Sequence, residues 1–180
     1  MNDPVTRYDQ MPIPPVELRT RWFEAGVVRI GVEYRLLNDA IAAAAASVEA
    51  RGERSSEGMP FDDRGVSLHV CAADGERLEH LRFDCFEEGP HYHSVSWRER
   101  SNEALHIDPI ADGDPLAWSL ERIRTRLPQM LARAGAPELA ARVDARVVEA
   151  VLPRVAEAAY RVRYEVDEEG VLRDALGSGS

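Results

Sequence analysis

The residues with most chemical potential lie close together. All five histidines (His69, His80, His91, His93 and His106) and both cysteines (Cys71 and Cys85) fall between positions 69 and 106. His91-Tyr92-His93 is a His-x-His pair. On a β-strand, alternate side chains share a face, so both imidazoles point the same way, as two ligands of one metal ion must. Asp84, His80 or His106 is positioned to add a third ligand, and divalent transition metals accept such nitrogen and oxygen sets. Asp84 beside His93 also reads as an oriented general base, because a carboxylate fixes the imidazole tautomer. The plainer alternative is a pair of partly buried histidines bonded to Asp84 and to backbone. Cys71, two residues from His69, is a candidate activated thiolate; a small buried cysteine in a strand is the simpler reading.

The segment that carries these residues reads as a β-meander. Val66 to Ala72, Arg77 to Phe86 and His91 to Arg98 form strands, and residues 104–108 add a short edge. Asp74-Gly75 is a two-residue hairpin signal, since both positions accept positive φ. A turn centred there sets His69 opposite His80 and Cys71 opposite Leu78. A similar turn at Glu88-Gly89 sets His93 opposite Asp84, His91 opposite Phe86 and Trp97 opposite His80. One face then holds His69, Cys71, His80, Arg82, Asp84, His91 and His93. The other holds Val66, Leu68, Val70, Leu81, Phe83 and Cys85, and is the face for helices to cover. A slip of one residue in either turn would reverse a strand's faces.

Around this centre, residues 1–20 contain Pro4, Pro12, Pro14 and Pro15 and form an extended arm. Such an arm lies across the domain or, more in keeping with its composition, across a neighbouring subunit or partner. Residues 26–36 alternate as a half-buried strand, with Val28, Ile30, Val32, Tyr34 and Leu36 on one side and Arg29, Glu33 and Arg35 on the other. An Ala-rich helix follows to about Arg51, then a polar loop over 52–65. Asp114 is an N-cap followed by Pro115 at the first helical position. The apolar stripe Leu116, Leu120, Ile123, Leu127, Leu131 runs from there to Gly135, with a bend at Pro128. A second helix begins near Pro137 and uses Leu139, Val143, Val147, Val151 and Val155. Tyr160, Val162, Tyr164 and Val166 alternate as a final strand, with a continued helix as the alternative. Arg122, Arg124, Arg126 and Arg133 read as a solvated helix face.

The whole predicts one α+β domain over 21–176: a mostly antiparallel sheet of four to five strands, packed on one side by two or three helices. Residues 177–180, Gly-Ser-Gly-Ser, are a linker-like tail. A net charge of -10 argues against nucleic-acid and membrane partners, which need a positive surface. All 22 basic residues are arginine, so lysine Schiff-base chemistry is excluded. There is no apolar run of eighteen residues and no basic-then-apolar leader, which favours a cytoplasmic location and reduced cysteines. No phosphate-binding loop, nucleophile elbow, Cys-x-x-Cys or His-Glu-x-x-His motif is present.

Arg82-Phe83-Asp84-Cys85-Phe86, followed by Pro90-His91-Tyr92-His93, resembles the signature stretch of a small bacterial family of unknown function. The resemblance covers about residues 65–140 and extends to Asp108-Pro109 and the helical region 114–158. It implies no particular activity, but it draws attention to Asp84, His91 and His93.

Two functions follow from the sequence. One is a non-catalytic binding or accessory domain, acting in a homo-oligomer or with a protein partner; the Pro-rich arm and the absence of a complete catalytic motif support it. The other is a small metal-dependent or His/Asp acid-base enzyme, with Asp84 and His93 as catalytic candidates. In that case His91, His93, Asp84 and His80 are the metal candidates, and a divalent transition metal is the cofactor.

Overall fold

The computed structural model describes residues 5–36 and 63–177, with side chains as far as residue 165. Among the described residues, seven strands form one antiparallel sheet: β1 (Val5–Tyr8), β2 (Arg21–Ala25), β3 (Val28–Leu36), β4 (Arg64–Ala72), β5 (Glu79–Phe86), β6 (His91–Ser96) and β7 (Ser101–His106). Their order is β1-β7-β6-β5-β4-β3-β2. Three helices follow: α1 (Pro115–Arg133), α2 (Pro137–Arg142) and α3 (Ala145–Gly177). The fold is α+β, as expected, but seven strands replace the predicted four to five. The Ala-rich helix expected before Arg51 and most of the loop after it lie outside the described residues.

One face of the sheet is the apolar core. Ile30, Val32, Val66, Leu68, Leu81 and Phe83 are buried there against Leu116, Ile123, Leu127 and Leu131 of α1 and Val148, Leu152 and Val155 of α3. Asp114 caps α1 by accepting from the Ala117 amide at 2.9 Å. The predicted stripe of the second helix is corrected by a break at Val143–Asp144. The break separates α2 from α3 and shifts the buried position from Val147, which is exposed, to Val148. The predicted final strand from Tyr160 is helix instead. The burial of Val148, Leu152, Val155 and Ala159 keeps a three-and-four spacing that runs directly into Tyr160. Arg161 also reaches back one turn to Glu157, at 2.9 Å.

The connection from β1 to β2 sets up the other face. These two strands are the opposite edges of the sheet, so residues 9–20 must cross it from side to side. Six inter-strand gaps of about 4.8 Å give a path of roughly 29 Å, within reach of a largely extended segment of that length. The prolines favour that backbone. The strap drops its carbonyls onto buried side chains as it goes. Gln10 accepts from Asn102 on β7 (3.1 Å), Ile13 from Arg82 on β5 (2.7 Å) and Pro14 from Arg35 on β3 (3.0 Å). The arm therefore lies on its own sheet, one of the placements its composition allows. Its β1 part pairs with β7, so residues 104–108 are not an edge; the strand there runs Ser101–His106 and is covered on both sides.

Under the strap the sheet face is charged yet buried: Glu33, Arg35, His69, Glu79, Arg82 and Asp84 are all nearly inaccessible. Glu33 and Arg35, read from the sequence as the solvent side of a half-buried strand, are covered because the strap closes over them. Burying charges is tolerable only when each is paired, and each of these has a charged partner, although Arg35 Nε and Glu79 Oε2 make no hydrogen bond. Arg35 bonds Glu33 at 3.0 Å and Arg82 bonds Asp84 at 3.0 Å. His69 lies between two carboxylates, with Nδ1 on Glu79 and Nε2 at 3.0 Å from Glu33. With His69 protonated, three cations balance three carboxylates. Burial by itself would lower the His69 pKa, but the Glu79 charge and the bonds to Glu33 and Glu79 raise it overall. Gly31 makes this cluster possible from the edge side: a Cβ there would stand 2.7 Å from the Trp22 ring, which leans over His69.

Candidate metal centre

The register of the meander decides what meets at the centre. Between β4 and β5, Ser67 pairs with Asp84 and His69 with Arg82. The expected pairing of His69 with His80 is corrected. The reverse turn is closed by a bond from the Arg77 amide to the Asp74 carbonyl (3.2 Å), so Gly75-Glu76 is its centre, and Arg77 takes a positive φ before the strand resumes. The longer loop moves the register by two residues and leaves the faces unchanged. A bulge between Val70 and Cys71 then places Glu79 opposite Cys71, which gives Glu79 the place on the charged face expected for His80. Between β5 and β6 the shift is again two residues: His91 pairs with Asp84 and His93 with Arg82, in place of Phe86 and Asp84. The loop between them is held by Asp63, whose carboxylate accepts from the Glu88 and Gly89 amides at 3.1 and 2.9 Å.

Asp84, His91 and His93 thereby converge. His91 Nε2 and His93 Nε2 are 3.0 Å apart, and each lies 3.4 Å from Asp84 Oδ2. Ligand bonds of about 2.0–2.2 Å put neighbouring donors of a tetrahedral or octahedral ion roughly 2.8–3.6 Å apart, so all three separations fit a common ion. Among the described residues these three alone form such a group of His, Cys, Asp or Glu. His80 is outside it, and His106, although opposite His91, is exposed and also outside.

The surrounding bonds fix which nitrogens face inward. His91 Nδ1 is 2.7 Å from the Gly89 carbonyl, which can only accept, so Nδ1 carries the proton. Asn102 donates its amide to the Gln10 carbonyl and so turns its oxygen to His93 Nδ1 at 2.8 Å; Nδ1 is the donor here too. Each neutral imidazole therefore presents a bare Nε2 lone pair to the centre. Asp84 accepts from Ser67 Oγ through Oδ1 and from Arg82 through Oδ2. Such outward bonds from ligating imidazoles and carboxylates orient metal ligands in general. Sequence reasoning missed Ser67 and Asn102. The two-residue spacing from His69 could have found Ser67, whereas nothing local marks Asn102.

Two lone pairs and a carboxylate facing one another call for a cation between them, either a metal ion or a proton. Burial tends to raise the Asp84 pKa, but Arg82 and the two imidazoles hold it well below the usual carboxylate range. Burial tends to lower both imidazoles. At His91 the bond and charge of Asp84 outweigh it and the pKa is raised; at His93 burial prevails and the pKa is lowered. A proton would sit more readily on His91, whose pKa is raised, than on His93. His91 is about a quarter exposed while Asp84 and His93 are buried, so the centre opens along His91.

The other candidates go elsewhere. Cys71 and Cys85 are free thiols, and burial pushes both to about 12, so neither is an activated nucleophile. A cavity of about 270 Å³ lies beside Tyr34, Cys85, Phe86, Pro90, Leu116 and Arg163, and none of Asp84, His91 or His93 lines it.

A family model described as a domain of unknown function, DUF7700, matches residues 22–159. The chain belongs to the DUF7700 family. That is an uncharacterised family, as the resemblance indicated, and its matched span contains Asp84, His91, His93 and Asn102 but not the strap. No curated protein and no solved structure matches the chain. Among the described residues of this DUF7700 protein, no helix is long and apolar enough to cross a membrane.

Proposed function

We propose that this domain binds a divalent transition-metal ion through Asp84 Oδ2, His91 Nε2 and His93 Nε2. The observation that carries the reading is the inward convergence of two proton-free Nε2 atoms and one carboxylate oxygen at 3.0–3.4 Å. Two histidines and one carboxylate form a common donor set for zinc and for iron(II). The binding function joins the two sequence-based readings, since a metal-binding module is a binding domain whether or not it turns over a substrate.

Partial exposure of His91 favours an enzymatic version of the same site. Three protein ligands leave coordination positions open on its side, and a bound ion there would acidify a coordinated water. Asp84 and His93 then act as ligands, and not as a free acid-base pair, because their reactive atoms are turned to the ion.

The test is elemental analysis of tag-free protein, followed by titration of metal-stripped protein with zinc and with cobalt(II), whose visible spectrum reports coordination. One equivalent bound, with loss of binding in His91→Ala and His93→Ala, is the expected result. No binding by folded, unsubstituted protein would overturn the reading and leave a cluster held by a shared proton.

A further inference from the structure

Two of the three proposed ligands are braced by side chains that the N-terminal strap itself holds. His93 is oriented by Asn102, whose amide donates to the Gln10 carbonyl. Asp84 is held by Arg82 Nε, while Nη1 of the same guanidinium donates to the Ile13 carbonyl at 2.7 Å. Tyr8, on the β1 part of the strap, places its ring over His93 with centroids 6.1 Å apart. Three points along one segment therefore converge on one side-chain cluster.

We propose that docking of strap residues 5–14 and metal occupancy at Asp84, His91 and His93 regulate one another, with Asn102 and Arg82 as the positioning residues that couple them. The inference rests on the metal-binding reading above. If the strap lifts, Asn102 loses the carbonyl that turns its oxygen to His93. The amide is then free to rotate, and His93 Nδ1 loses its fixed acceptor. Arg82 loses the Ile13 carbonyl and is no longer fixed against Asp84. Both changes blur the inward geometry that the ion needs. By linkage, an ion that favours the docked arrangement must hold the strap down by the same factor. The strap is suited to this role. Its edge strand is short, with Thr6, Arg7 and Tyr8 exposed, and its prolines leave few amides for ladder bonds, so it belongs to the less stable part of the fold.

Hydrogen exchange of the full chain, followed by mass spectrometry on peptides covering residues 5–14, tests this with zinc as the probe. Zinc is expected to slow exchange in these peptides about fivefold or more, the lower end of ordinary allosteric coupling. Peptides from α1 should show no comparable change. In His91→Ala, which keeps both positioning residues, the strap should exchange at the metal-free rate with or without zinc. In Asn102→Ala, saturated with zinc at higher concentration, the zinc-dependent protection should fall by at least about half. If Asn102→Ala does not fold, the unsubstituted chain and His91→Ala decide the matter by themselves. Stoichiometric zinc binding with unchanged exchange in residues 5–14 overturns the coupling and leaves the metal site standing. Absence of zinc binding removes the site, and the coupling with it.

Discussion

His91 Nε2 and His93 Nε2 face each other at 3.0 Å although both imidazoles donate from Nδ1, to Gly89 and to Asn102 respectively. A hydrogen bond between two such nitrogens requires an added proton, and a bound metal ion would take that proton's place. The pairing follows from strand geometry, which puts alternate residues on one face, and from a loop at Glu87–Pro90 that places Asp84 opposite His91. The first prediction is that His91→Ala and His93→Ala each abolish stoichiometric metal binding. His93→Ala should also cost about 1–3 kcal/mol of stability, because it leaves the Asn102 oxygen without its buried donor. The partly exposed His91 should cost less. Chemical denaturation of the metal-free proteins checks the order.

Asn102 offers a subtler test. Asn102→Leu keeps all three ligands and removes the acceptor that fixes the His93 tautomer. Zinc affinity should fall by about 10–100-fold, the usual effect of losing an outer partner of a ligating histidine. Competition titration against a chelator of known affinity measures it. An unchanged affinity would show that His93 is oriented by strand packing alone.

The centre was more legible in the sequence than the frame around it. His-x-His, the Asp-Gly turn and the alternation of Val66 to Phe86 put Asp84, His91 and His93 on one face, and a register error of two residues left that conclusion intact because side chains repeat every two. The His80 assignment failed because a bulge changes parity within the strand and has no local signature: Glu79 and His80 are adjacent, polar and equally plausible. β1 was hidden by the composition of a Pro-rich arm, and β2 by its shortness beside the tight turn at Gly26, where φ is +72°. The buried charges were illegible for a different reason. Glu33 and Arg35 look like a solvent face until a segment some twenty residues earlier in the chain is laid over them. The predicted final strand shows the opposite error, in which Tyr160, Val162 and Tyr164 alternate by chance on a helix whose true stripe lies at Val155 and Ala159.

The thiols provide a check on faces and burial together. Cys71 is on the charged side of β4, and Cys85 is beside Ser119 of α1 at 3.5 Å, on the other side of the sheet. No disulfide joins them, and both thiols are pushed to about 12. Iodoacetamide at pH 8 should leave both unmodified in the folded protein and alkylate both after denaturation without reductant. Rapid labelling of the native protein would show that one of the two faces is open.

The last prediction concerns pH and the His69 cluster, which adjoins the proposed metal centre through Arg82 and Asp84. His69 on β4 meets Glu33 from β3, Glu79 from β5 and the Trp22 ring from β2, lies in the field of Arg35 from β3, and pairs in register with Arg82 on β5. Burial opposes its charge, but the Glu79 charge and the two carboxylate bonds raise its folded pKa above the ordinary value near 6.5. A raised histidine pKa contributes stability that is complete below about pH 6.5 and is lost as pH rises through the folded value. For Glu33 and Glu79, burial would raise the pKa, but the His69 and arginine partners lower both. Lowered carboxylates contribute stability that is complete above about pH 4.5 and is lost as pH falls through their folded values. The two windows overlap between about pH 4.5 and 6.5, where this cluster contributes most. The His69 contribution to the unfolding free energy of metal-free protein, measured by urea titration, should therefore decline from pH 6 toward alkaline pH, against the opposite contribution of the lowered His80 and His93. In His69→Gln the glutamine remains a hydrogen-bonding group but carries no charge. That variant should be less stable at pH 6, and its alkaline slope should be shallower than that of the unsubstituted chain. Equal slopes in the two proteins would mean that His69 is buried neutral and that one of its two carboxylates holds the proton instead.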